Sequence, residues 1–78
     1  MEPSIKVGSR LGKLLKEARK AKGLTQDQLA ARLQVNDCDM ARYTYARIET
    51  GKRHVTVAEI NALMEILDLQ YEDFFKQD

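Results

Sequence analysis

Two stretches, TQDQLAARL at 25–33 and YARIETGKR at 45–53, constrain this chain more than any other feature. Thr25 is followed three residues on by Gln28, the reciprocal pairing that opens a helix: the hydroxyl accepts from a first-turn N–H and the amide reaches back to the cap. Leu29, Ala30 and Leu33 then share one helical face. The second stretch closes on Gly51, which enters the left-handed conformation at least steric cost, and Lys52 and Arg53 follow at once. Two short helices in tandem, the second ending in a basic turn, form a unit suited to a polyanion.

Seventy-eight residues make one domain, expected to bury about 60–65% of its unfolded surface. A 44% hydrophobic share argues against disorder. Cys38 is the sole cysteine, so no disulfide can close within the chain and a reducing, cytoplasmic setting is expected. No apolar run reaches membrane-spanning length, and no signal-like segment opens the chain. The net charge of +1 hides a steep gradient. Residues 1–23 carry a net +5, residues 24–53 a net +1, and residues 54–78 a net −5. A basic front and an acidic back orient a small domain on a nucleic acid.

The periodicity predicts five helices and no strand, an all-α bundle. Residues 1–8 read as an N-terminal arm and 9–78 as one domain. The first helix is expected over about 9–22, with Ser9 as N-cap, Leu11, Leu14, Leu15 and Ala18 on its apolar face, and Gly23 as its stop. The second covers about 26–34 and the third about 41–50. The fourth opens at Thr56, whose partner Glu59 repeats the capping pair, and carries Val57, Ile60, Leu63, Met64 and Leu67 on one stripe. A last helix near 71–76 offers Tyr71, Phe74 and Phe75.

Projected at about 100° per residue, the third helix turns Ala41, Tyr45 and Ile48 inward. Arg42, Tyr43, Ala46, Arg47 and Thr50 fall on the opposite arc, with Thr44 at its border and no acid among them. Such an arc suits the major groove. Arg pairs in bidentate fashion with guanine, Thr and Ala touch a thymine methyl, and Tyr donates to phosphate or packs on a base edge.

Other chemistry finds no support. Cys38 and His54 lack partners at metal-ligand spacing, Ser4 and Ser9 lack a neighbouring His–carboxylate pair, and no glycine-rich phosphate loop occurs. The carboxylates of 59–73 read as a solvated face. Neither enzyme activity, a cofactor, a metal nor a small-molecule ligand is expected.

Taken together, LKEARKAKGLTQDQLAARL at 15–33, RIETGKR at 47–53 and LQYEDFF at 69–75 resemble the phage-repressor-like, XRE-type helix-turn-helix regulators over about residues 8–76. The resemblance implies a compact five-helix bundle whose second and third helices read double-stranded DNA. It places Arg42, Tyr43, Thr44 and Arg47 at base-reading positions, and Gln26, Lys52 and Arg53 against the backbone. It also pairs Arg19 with Glu49 between the first and third helices. The chain departs from the family at QVNDCDM, 34–40, a longer turn than usual. Ala41 stands where a hydroxyl cap is customary, so Asp39 or Asp37 is expected to cap the third helix instead. Tyr45 replaces an aliphatic core residue and its hydroxyl needs a partner. Gln70 replaces the hydroxyl cap of the last helix.

The resulting expectation is a cytoplasmic, sequence-specific DNA-binding regulator, a repressor in mode. It would pair as a homodimer through the end of the fourth helix and the fifth, around Met64, Leu67, Leu69, Tyr71, Phe74 and Phe75. A protein-interaction module, such as an antitoxin-like or co-regulatory partner using the acidic C-terminal third, is the second reading.

Overall fold

Both capping boxes close. Thr25 Oγ1 accepts from the Gln28 N–H at 3.0 Å while Gln28 Oε1 accepts from the Thr25 N–H at 2.8 Å. Thr56 and Glu59 repeat the exchange at 3.1 and 2.9 Å. In the computed structural model, which describes residues 4–5 and 8–75 and the side chains of 8–73, these caps start two helices of an all-α bundle. The order is β1 (Ser4–Ile5), α1 (Ser9–Ala21), α2 (Gln26–Val35), α3 (Arg42–Glu49), β2 (Val55–Thr56), α4 (Val57–Leu67) and α5 (Tyr71–Phe75).

The apolar faces meet where the periodicity puts them. Leu15 of α1, Leu29 and Leu33 of α2, Tyr45 and Ile48 of α3, and Ile60 and Leu63 of α4 are buried around a single core that Val55 completes. Leu11, Leu14 and Ala18 pack half-buried at its edge. Helix α3 lies against both α1 and α2. Helices α1 and α3 come together at Gly12, where a Cβ would stand 2.3 Å from the Glu49 carbonyl oxygen and 2.7 Å from that of Ile48. Only hydrogen fits there, so the two backbones touch.

Helices α1, α2 and α3 end in one way. Leu24 N–H donates to Arg19 O, Cys38 N–H to Leu33 O and Lys52 N–H to Arg47 O, the six-to-one bond that follows a left-handed residue. That residue is glycine at two of these ends, Gly23 (φ 69°) and Gly51 (φ 74°), but Asp37 (φ 61°) at the third. Asp68 (φ 55°) caps α4 in the same conformation, and its carboxylate pairs with Lys22.

Several expectations are corrected. Gly8, not Ser9, is the N-cap of α1, and Ser9 is its first residue. Neither Asp37 nor Asp39 caps α3. Asp37 is taken up by the left-handed turn that closes α2, and Ala41 becomes an N-cap with no side-chain bond. Ala41 is therefore exposed rather than packed. The cap at α5 comes from inside the helix, where Asp73 Oδ2 accepts from the Gln70 N–H at 2.8 Å. An antiparallel pairing of Ser4 with Thr56 and Ile5 with Val55 was not expected. Two residues on each side are too few to leave an alternating pattern.

Candidate nucleic-acid interface

The outer arc of α3 faces solvent. Arg42, Tyr43 and Arg47 are exposed, Tyr43 to 72%, while Thr44 and Ala46 are half-buried beside them. Thr50 is also exposed, and its hydroxyl donates to the Arg47 carbonyl at 3.1 Å. Lys52 is exposed in the turn beyond. These side chains share one surface because Tyr45, Ile48 and Glu49 occupy the other side of the helix and are buried.

That buried side is held by a polar network. Arg19 Nε donates to Glu49 Oε2 at 2.6 Å, Nη2 to Glu49 Oε1 at 3.3 Å, and Nη1 to the Leu24 carbonyl at 2.7 Å. One guanidinium thus joins α1, the turn after it and α3. Gln26 Nε2 adds a bond to Glu49 Oε1 at 3.0 Å, bringing the first turn of α2 into the same cluster. Burial by itself would raise the Glu49 carboxyl, but the Arg19 hydrogen bonds and charge, with the Gln26 hydrogen bond, hold it below its ordinary value. The Arg19 guanidinium is raised in turn by its bond to Glu49. Tyr45 is fully buried beside this pair, and burial pushes its phenol up. Its hydroxyl has no hydrogen-bond partner among the described residues.

Two residues assigned by resemblance to the DNA backbone are engaged inside the protein. Gln26 bonds to Glu49 as above, and Arg53 forks onto Glu59 at 3.1 and 3.3 Å while Nη1 also reaches the His54 carbonyl at 2.9 Å. Burial would raise the Glu59 carboxyl, yet Arg53 and the Thr56 N–H keep it low. Asp27, which sequence reasoning left out, lies beside the site: its Oδ1 is 3.6 Å from Arg42 Nε. Nothing local signals that pair, because its members are fifteen positions apart on different helices.

The residues expected at a dimer contact are divided. Met64 and Leu67 belong to the core, Leu69 is half-buried, and Tyr71 is 53% exposed with its hydroxyl donating to Asn61 Oδ1 at 2.8 Å. The side chains of Phe74 and Phe75 lie outside the described residues. Cys38 is half-buried in the long turn, where burial raises its thiol. Among the described residues, no group of His, Cys, Asp or Glu is placed to hold a metal ion, and no helix is long and apolar enough to cross a membrane.

Residues 10–73 match a family described as a helix-turn-helix domain. The chain belongs to that family. As a helix-turn-helix protein of this kind, it is a DNA-binding transcriptional regulator. The helix-turn-helix fold is shared with the restriction-modification controller protein C.AhdI from Aeromonas hydrophila, 31% identical, with 86% of this chain and 94% of that one covered at a TM-score of 0.73. A mutant of the restriction-modification controller protein C.Esp1396I is 25% identical, with 97% of this chain and 87% of that one covered at a TM-score of 0.70. Among curated proteins, none matches this helix-turn-helix chain.

Proposed function

We propose that this helix-turn-helix regulator seats α3 in the major groove of double-stranded DNA and reads a specific site there. The observation that carries the reading is the acid-free outer face of α3, with Arg42, Tyr43 and Arg47 exposed on a helix whose inner face is fixed by Arg19, Glu49 and Gly12. Arg42 and Arg47 contact guanine edges, and Tyr43 and Thr44 pack on neighbouring bases or phosphate. Lys52 contacts the backbone as an exposed cation, Gln26 from its tie to Glu49, and Arg53 from its fork on Glu59. The likeness to two restriction-modification controllers supports the same kind of regulatory role for this chain.

One α3 reads only a few base pairs, so selective binding calls for two copies on half-sites about one helical turn apart. Residues 69–75, with Tyr71 exposed and Leu69 half-buried at the core edge, form the contact. The acidic C-terminal third makes such a dimer weak in free solution and tighter on DNA.

Fluorescence anisotropy on a selected duplex and on random duplex tests the assignment. Arg42→Ala and Arg47→Ala are each expected to cost about 1–3 kcal/mol on the selected site and to relax preference at one position. Lys52→Ala and Gln26→Ala are expected to weaken all sequences alike. Affinity must also fall steeply with salt. No binding to any duplex at low salt would favour the protein-interaction reading instead. Sedimentation with a palindromic duplex tests the dimer, and one protein per duplex at saturation refutes it.

A further inference from the structure

We propose that Asp27 is a positioning residue for Arg42. Its carboxylate takes the guanidinium from the Nε side and leaves the outer Nη1–Nη2 edge to face a guanine. The inference rests on the reading of Arg42 as a base contact.

Asp27 Oδ1 stands 3.6 Å from Arg42 Nε, with the two side chains 81% and 52% exposed. Arg42 opens α3, a helix with no acid in its first turn and no side-chain cap. Its own helix therefore gives the side chain nothing to hold, and a cation at a helix N-terminus faces the positive end of the dipole. The anchor comes from α2. The first turn of α2 is itself fixed on α3, since Gln26 bonds to Glu49 at 3.0 Å and Leu29 and Ile48 are fully buried. Asp27 follows Gln26 directly, so its backbone is held beside the start of α3 with the carboxylate in reach of Arg42.

A carboxylate on a surface that meets phosphates repels them, and uniform affinity would be better served by a neutral residue. What the acid supplies is direction. A free arginine loses much rotamer freedom when it docks, and an arginine already held by one edge loses less. Nε on one side and the Nη pair on the other let one guanidinium meet a carboxylate and a base together. Exclusion of water on docking strengthens the ion pair at the moment when orientation matters. Asp27 thus trades general affinity for discrimination at one base pair.

Asp27→Asn keeps the shape and removes the charge. On duplexes varied at each position of a site selected with the native protein, it is expected to lower discrimination about three- to tenfold at the base pair that Arg42→Ala also relaxes, and nowhere else. Binding to random duplex is expected to hold or rise slightly. In the Arg42→Ala background, Asp27→Asn should change no base preference, whereas Asp27→Glu in the otherwise native protein should keep much of the native preference. If Asp27→Asn instead raises affinity equally for every duplex in both backgrounds, the residue is only a repelling charge and the proposal fails. If Arg42→Ala alone weakens selected and random duplexes equally, Arg42 reads no base, and the earlier assignment falls together with this one.

Discussion

Gly12→Ala is the sharpest perturbation of this fold, because a single methyl tests whether α1 and α3 touch through their backbones. The added Cβ would stand 2.3 Å from the Glu49 carbonyl oxygen, 2.7 Å from the Glu49 carbonyl carbon and 2.7 Å from the Ile48 oxygen. Ordinary contact begins near 3.4 Å, and the opposing atoms are main chain in the last turn of a helix, so no rotamer can clear the space. The helices must part by about 1 Å, a rearrangement of the overpacking type that costs about 1–3 kcal/mol or somewhat more. Replacing a mid-helix glycine returns about 0.5–1 kcal/mol of helix propensity. The rigidity of both partners puts the cost at the upper end, leaving a net loss of about 2 kcal/mol. For a domain of this size that lowers Tm by about 8–16 °C. Urea and thermal unfolding followed by circular dichroism measure it. Gly8→Ala, with nothing within 4 Å of its Cβ and a φ of −79°, is the control and should lose no more than about 1 kcal/mol. If Gly12→Ala equals or exceeds the native stability, the helix crossing described above is wrong.

Glu49→Gln leaves Arg19 buried without its counter-charge and is expected to cost about 3–5 kcal/mol near neutrality, measured by urea unfolding. The Glu49 carboxyl is lowered in the folded state, so its contribution is complete above the ordinary carboxyl range and is lost as pH falls through the lowered value. The variant should lack that part of the acid slope, and an unchanged slope would remove Glu49 as its source. Tyr45→Phe deletes a buried hydroxyl with no hydrogen-bond partner among the described residues and should be neutral or stabilising by up to about 1 kcal/mol. A loss above about 1 kcal/mol would mean that the hydroxyl donates to Glu49. Asp37→Gly relieves a left-handed backbone at φ 61° and should gain about 0.5–1 kcal/mol by thermal unfolding. A loss there would show that the Asp37 side chain stabilises the long turn.

What the sequence disclosed was local. The Thr25–Gln28 and Thr56–Glu59 boxes, the stops at Gly23 and Gly51 and the inward face of α3 each depend on residues within a turn or two of one another. The start of α3 was not legible, because Asp37 and Asp39 look alike as caps until the close of α2 draws Asp37 into the left-handed region. Gly12 reads in sequence as a weak spot in a helix, and only the approach of α3 explains it. The outer face of α3 was visible from periodicity, whereas the engagement of Gln26, Arg53 and Arg42 with Glu49, Glu59 and Asp27 was not. Those acids belong to other elements, and their distance from these donors is set by packing.

The contact between Gly12 and the end of α3 has a consequence for how such a protein changes over time. The third helix is clamped from behind by main chain and by one buried guanidinium, neither of which involves the outward side chains. Arg42, Tyr43 and Arg47 can therefore be exchanged without asking the core to adjust. On the proposed reading, a lineage built on this frame acquires new operators by a few outward substitutions, each tried at little risk to folding. An engineer can do the same, treating the outer face as a replaceable key while the lock on its shaft stays untouched.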